Sequence, residues 1–348
     1  MWANYEIDLL GCMMFRMNRV FILLTAVVVF TGCASAEEVP EVVDDAVDVV
    51  EEEVSSERYV LFTINTQEFF YHKESVETLN RLLDLHEEYD LPVDIYLTED
   101  VFRVYEKEAP DLVDRFKDSD LVAISYHYRP PHPYHLQGDD FLGLAEMKGA
   151  ELREVLESYV NFATDSVTGE VTEEVGGPAH IADVIGYAPI ITGMSASKSI
   201  SESFGKLMKD LGTTFAVTHG GEPKLGDTRF SLFVRPEDLP IITGQWLEED
   251  PAVVIRDMWE EQGDSGFMNI KVHDNDFIAD ASAWTAIYIH RSPPYNLEHG
   301  TTERSLLTEE ESDEYWDFYE GALKEVSADP EFYHAINAFD LKAMVEEL

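Results

Sequence analysis

A (β/α) barrel of seven or eight irregular strands, built as a single domain, is the fold class this sequence predicts. Three observations carry it. From Tyr59 to the C-terminus, short apolar β-branched runs alternate with segments of helical period, the pattern of repeated βα units. No glycine-rich G-x-G-x-x-G or G-x-x-x-x-G-K-[ST] follows any such run, which removes the dinucleotide-binding and P-loop forms of an α/β fold. Most of the histidines stand where an apolar run stops, and the C-terminal ends of barrel strands are where such folds place their chemistry.

Taken in order, the body opens with the strand YVLFTIN, a polar turn TQEFFYHKE, and a helix from Ser75 to Tyr89 with Leu79, Leu82, Leu83 and His86 on one face. His86 is expected to be a partly buried helix-face residue. The strand PVDIYLT leads into helical segments at Val101 to Glu106 and Ala109 to Lys117, and the run Leu121 to Tyr126 is the third strand. A helix from Leu144 to Phe162 follows, then a surface excursion from Asp165 to Gly177. Next come a strand VIGYAPII, a small-residue turn GMSASKS, a helix Ile200 to Leu211 and a strand TTFAVTHGG. RFSLFVRP, a helix Ala252 to Gln262, the strand FMNIKVHDND and an apolar run AWTAIYIHRSPPY continue the alternation. A helix from Glu309 to Val326, the strand FYHAINAF and a short terminal helix close it.

Ahead of this body, residues 1 to 16 form an awkward extension before Met17, the expected true start. Residues 17 to 36 have a basic start and an apolar stretch from Val20 to Phe30, the features of an export signal. Phe30-Thr31-Gly32-Cys33 matches a lipobox and Ala34-Ser35-Ala36 an ordinary signal-peptidase site. A lipid anchor through Cys33 at the cell surface or in the periplasm is therefore the first expectation, and free secretion the second. Residues 37 to 58 are acidic and without aromatics, the composition of an extended tether.

The 348-residue chain has 70 acidic against 24 basic residues, a formal net charge of -46. Such a surface repels nucleic acid and anionic membranes, so neither is expected as a partner, and it tolerates high salt because screening shortens self-repulsion. Hydrophobic residues make up 45% of the chain, enough for a core of this size. Both cysteines, Cys12 and Cys33, precede residue 40, so any metal bound by the body must use His, Asp or Glu.

Candidate chemistry concentrates at three strand ends. LVAISYHYRPPHPYH, from Leu121 to His135, carries His127, His132 and His135. Imidazoles joined by a carboxylate such as Glu68 are a donor set for zinc or a related divalent ion that activates water. The alternative is a proline-stiffened loop whose histidines only hydrogen-bond. VHDND, from Val272 to Asp276, places His273 beside Asp274 and Asp276, a general acid with a carboxylate to set its tautomer, or an ordinary polar turn. Tyr128, Arg129, His219 before Gly220-Gly221, and Arg235 are candidate substrate contacts, and His290 with Arg291 stand at a further expected strand end. Tyr126, Tyr128, Tyr134, Trp284 and Tyr295 suit stacking on sugar rings.

VLFTIN, PVDIYLT, LVAISYH leading into HYRPPHP, and the late IKVHD together resemble the polysaccharide deacetylase (NodB-homology) family of the glycoside hydrolase/deacetylase superfamily. The resemblance spans the chain from Tyr59 onward in order of elements. It implies a distorted (β/α)7 barrel and a metal-dependent esterase or amidase acting on carbohydrate. On this resemblance His127 and His132 would be metal ligands, Glu68, slightly after the family's paired aspartates, would substitute for one of them, and His273 would be the late catalytic histidine; Glu68 with Asp274 or Asp276 would be the carboxylate pair if the bond cleaved were glycosidic. Asn65-Thr66 stand where the family has paired aspartates, and the histidine pair is spaced His127-x-x-x-x-His132, one residue longer than the family's. The expected function is therefore an exported, metal-dependent carbohydrate deacetylase. A glycan-binding barrel without turnover and a glycoside hydrolase are the alternatives.

Overall fold

The computed structural model describes residues 57–348 apart from 134, 136–139, 195, 219–222 and 264. The expected leader, Cys12, Cys33 and nearly all of the acidic tether lie outside the described residues, as do His219 and Tyr134. The strands, in chain order, are β1 (Arg58–Asn65), β2 (Val93–Leu97), β3 (Val122–Tyr126), β4 (Phe162–Thr164), β5 (Val171–Val175), β6 (Ile191–Met194), β7 (Phe215–Thr218), β8 (Thr228–Arg229), β9 (Leu232–Val234), β10 (Leu239–Ile242), β11 (Gly266–His273) and β12 (His334–Ile336). The main sheet runs β10-β11-β1-β2-β3-β6-β7-β9-β8, with β12 also paired to β1. All its pairings are parallel except β8 with β9.

This sheet is a distorted (β/α) barrel. β9 and β10 lie near opposite ends of the strand order yet are joined by only four residues of chain, Arg235 to Asp238. The buried Arg235 there donates to Thr63 of β1 at 3.3 Å and to the Tyr96 hydroxyl of β2 at 3.2 Å. Glu237 accepts from Asn269 of β11 at 2.9 Å. Such contacts across the interior require the sheet to curl, although among the described residues no strand pairing joins β9 to β10.

Strand alternation sorts the side chains into two populations. On β1, Val60, Phe62 and Ile64 face outward and pack with Val93, Ile95, Leu97, Val122, Ile124, Met268 and Ile270 against the helices. Leu61 faces inward and packs with Tyr96, Ala123, Ile191, Phe215 and Phe267 in a second, smaller core. Strands buried on both faces need continuous apolar runs, which is why these runs are so conspicuous in the sequence. The base of the barrel is plugged by helix Ala338–Glu346, whose Leu341 and Val345 join the inner core.

The helices His72–Tyr89, Glu99–Glu108, Pro110–Asp118, Lys198–Leu211, Pro251–Gln262 and Glu309–Ala328 lie within a few residues of expectation. His86 is buried on its helix, bonded to Leu91 O at 2.9 Å and to the Tyr319 hydroxyl at 2.8 Å. Several expectations are corrected. The excursion 165–177 contains β5, which pairs with β4 just before it in a two-stranded hairpin, and the segment VIGYAPII begins as the end of helix Gly177–Ile185, leaving the strand to start at Ile191. Pro178 at the start of that helix and Gly186, with φ of 93°, at its end delimit it. The apolar run at 283–295 is a short helix, Ala283–Ile287, with an aromatic cluster, so His290 and Arg291 are not at a strand end. Arg291 instead pairs with Glu303.

Beneath the polar interior, Asp94 of β2 faces inward and accepts from the backbone N–H of Ala338 at 2.8 Å. Burial pushes its carboxyl up from 3.8 to about 7, against the opposing pull of that donor and of Arg235. A folded pKa above the unfolded one means stability from this group is full below the unfolded pKa and is lost as pH rises towards 7. Asp94→Asn should therefore leave stability at pH 3 little changed and raise it at pH 8, by on the order of 4 kcal/mol, measured by urea unfolding at the two pH values.

Candidate functional site

The polar residues of the barrel interior lie in layers above the apolar base. The lower layer is a closed network. Thr63 donates to Asn269 Oδ1 at 2.7 Å, Asn269 donates to Glu237, Glu237 pairs with Arg235 at 3.1 Å, and Arg235 returns to Thr63 and Tyr96. Arg235, expected to contact substrate, is thus committed to holding the barrel together from within.

The upper layer forms the mouth, at the C-terminal ends of β1, β3 and β11. Asn65 and His273 stand side by side in register. His127 extends β3 by donating its backbone N–H to Leu97 O at 3.0 Å. Its ring lies edge-on to Tyr96, with centroids 6.4 Å apart. His273 is held twice by Asp276, whose Oδ2 accepts from the His273 backbone N–H at 2.9 Å and lies 3.1 Å from its Nδ1. That contact places the proton on Nδ1 and leaves Nε2 as a lone-pair acceptor, with no hydrogen-bond partner among the described residues. Burial lowers the His273 pKa, opposed by Asp276 and reinforced by Lys271 and Arg129, so the ring is neutral at pH 7. His127 is pushed well below the ordinary histidine value, first by burial and then by Arg129, His273, Lys271 and His135. Its Nε2 is buried with no hydrogen-bond partner among the described residues. Lys271 lies inside the IKVHD run, but no role was assigned to it from sequence. The signal that could have found it is its place two residues before His273 and two after Asn269, on the inward face of β11.

The three residues expected to hold a metal are not brought together. His132 lies in the outer layer, with Nε2 3.3 Å from the Tyr126 hydroxyl, Nδ1 3.3 Å from Thr164 Oγ1, and its ring edge-on to Tyr159. Tyr126 and His127 are consecutive in sequence and so point to opposite faces of the strand, and His132 follows Tyr126 rather than His127. Glu68 is fully buried in a two-pronged ion pair with Arg304 and also accepts from the backbone N–H groups of Phe70 at 2.9 Å and Tyr71 at 3.0 Å. These contacts occupy the carboxylate that a metal would need. His127, the remaining candidate, has Arg129 and Lys271 as charged neighbours, which repel a cation. Among the described residues no group of three or more His, Cys, Asp or Glu side chains is placed to hold a metal ion. The described residues do not fit the divalent metal expected from the resemblance.

Other expected contacts are also structural. Asp274 is fully buried and faces away from the mouth, accepting from Gln67 N at 2.6 Å, Glu68 N at 3.2 Å and Ser75 Oγ at 2.9 Å. Burial pushes its carboxyl up to about 7. Tyr128 is buried against Phe204 and His135, while Trp284 and Tyr295 are buried in the aromatic cluster, so none of the three offers a face to a sugar ring. Arg129 remains at the mouth, close enough to depress the pKa values of His127, His273 and Lys271.

No protein-family model matches the chain, and no curated protein matches it. Among solved structures it is similar to a putative polysaccharide deacetylase from Mycobacterium smegmatis, at 12% identity and a TM-score of 0.45, covering 83% of this chain and 90% of that one. It is also similar to a peptidoglycan deacetylase from Bacillus subtilis, at 12% identity and a TM-score of 0.41, covering 84% and 93%. A 4-alpha-glucanotransferase from Thermococcus litoralis matches at 10% identity and a TM-score of 0.46, covering 82% of this chain. The chain spans 40% of the glucanotransferase's length.

A structural role for the Glu68–Arg304 pair has a direct consequence for stability. Arg304→Met leaves the buried Glu68 carboxylate without its partner and should cost about 3–5 kcal/mol in urea unfolding, whereas Glu68→Met with Arg304→Met should recover most of that loss.

Proposed function

We propose that this protein is a carbohydrate-acting hydrolase of the deacylase type, in which His273 is the general base. The observation that carries this reading is the His273–Asp276 pair at the end of β11, with Nδ1 anchored and Nε2 turned to the mouth. A neutral imidazole so oriented accepts a proton from water as that water attacks an ester or amide carbonyl, and returns it to the leaving oxygen or nitrogen. Asp276 holds the tautomer and stabilises the imidazolium formed in the transition state. His127, neutral and with no hydrogen-bond partner at Nε2 among the described residues, lies close to His273 and supplies a second polar contact for the substrate. The sequence resemblance to polysaccharide deacetylases supports carbohydrate as the substrate class. Export to the cell surface, expected from residues 17 to 36, belongs to the same reading.

A second reading, a glycan-binding barrel without turnover, is favoured by Asn65 and Thr66. Asn65 adjoins His273 where a carboxylate would serve as a further acid or base, and Thr66 Oγ1 is occupied by Tyr96 O and Thr98 N.

Acetate release from acetylated oligosaccharides distinguishes the two. Under the hydrolase reading the wild type releases acetate, His273→Ala lowers kcat by about 10²–10⁴, and Asp276→Asn lowers it less. Because the His273 pKa lies below 6.5, the wild-type rate should fall only in the acid range and be flat through neutrality. No release by the wild type, or full activity in His273→Ala, rules the hydrolase reading out.

A further inference from the structure

The mouth and the layer just beneath it gather positive charge in a chain whose formal net charge is -46. Three cations, Arg129, Lys271 and Arg235, lie close enough to perturb one another or their shared histidines. Two carboxylates face them. Glu237 is 3.1 Å from Arg235 and also bonded to Asn269, and Asp276 is bonded to His273. Asp94 lies a layer lower, with its carboxylate on the backbone of Ala338. His127 and His273 are both neutral at pH 7.

Arg235 is bonded to Glu237, and Lys271 lies in the field of Glu237 and Asp276 without a direct bond to either, while no described carboxylate is among the groups that act on Arg129. Neither side chain makes an ion pair or hydrogen bond to another described residue, and Arg129 Nε is buried without a partner among them. Keeping two partly buried cations side by side without a direct counter-ion is costly, and an anionic ligand would relieve that cost. The same charges disfavour a divalent cation at this place. The strong acidity of the rest of the chain makes nucleic acid an unfavourable source of the negative charge.

We propose that the barrel mouth is an anion-binding subsite, in which Arg129 and Lys271 receive the carboxylate or phosphate of an acidic glycan beside the His273–Asp276 pair. The identity of the ligand as a glycan rests on the hydrolase reading above, while the anion preference rests on the charges alone. Arg129, in the loop after β3, supplies a planar fork suited to two oxygens, and Lys271, on β11 with β1 and β2 between, supplies a point charge.

Isothermal titration of the His273→Ala chain, in which turnover is suppressed, tests this with four probes: trigalacturonate, its methyl ester, glucose 6-phosphate and glucose. The expected result is at least about tenfold tighter binding of one acidic probe than of its neutral counterpart, a difference of about 1.4 kcal/mol. Preference for trigalacturonate over its ester identifies a carboxylate as the ligand group, and preference for glucose 6-phosphate over glucose identifies a phosphate. Adding Arg129→Gln or Lys271→Met should abolish the preference, and Arg129→Lys should retain part of it, which separates loss of charge from loss of folding. Equal binding of acidic and neutral probes, no binding of either acidic probe, or a preference unchanged by both charge-removing variants overturns the proposal. Acetate release absent from the wild type while the anion preference persists overturns the hydrolase reading and leaves the anion site standing.

Discussion

One buried carboxylate, that of Asp274, holds the mouth end of the barrel in register. It accepts from the backbone of Gln67 and Glu68 after β1, from Ser75 at the start of the first helix, and from Asn275 in its own turn. The first strand's exit loop and the helix after it are thereby fixed to the end of β11, some two hundred positions away in sequence, through a single side chain. The loop so fixed presents Glu68 to Arg304, which also donates to Ala281 O and Gly300 O and so ties the 281–304 segment to the same corner. Charge-assisted bonds of this kind are short and directional, and burial makes each unmet partner costly. The neighbouring His273 owes its placement to this anchor. With Asp274 turned into the wall, the preceding residue on an extended strand must face the interior.

The interior changes character along the barrel axis. Leu61, Ala123, Phe215, Phe267 and Leu341 make the base apolar. Arg235, Glu237, Asn269, Thr63 and Tyr96 bond to one another in the middle, with Arg235 Nε left over. At the mouth, polar atoms remain without partners among the described residues, as at His127 Nε2 and Arg129 Nε. Electrostatics sharpens the contrast, because the surface charges of an acidic chain are screened by salt whereas charges in a partly buried mouth are screened far less.

Much of the architecture was legible before folding was considered. The strands β1, β2, β3, β7 and β11 are apolar runs long enough to need burial on both faces, and their flanking helices carry apolar residues three and four apart. Where reading failed, local chemistry competed with period. Val184 to Ile191 is apolar throughout, which cannot distinguish a strand from the end of a buried helix, and the turn at Gly186 decided the matter. The strand β10 is only four residues with a proline inside it, so it carries almost no signal. Of the site residues, His127 and His273 were legible because each ends a long apolar run. His132 was misplaced because proline-rich loops do not preserve the alternation that would have shown which way it turns.

Residue order alone was enough to specify the repeated βα units, the strand ends where polar residues collect and the acidity of the chain, since each depends on neighbours within a few positions. Which of those polar residues would share the interior depended on how the sheet curls and on partners far away along the chain. Glu68 reads as a free ligand until Arg304 meets it, and Asp274 reads as half of a catalytic pair until the backbone of residues 67 and 68 claims it. Folding also brought Arg129 and Lys271 to the mouth from different strands. Charge balance is a property of that gathered space, and no local pattern in the chain encodes it.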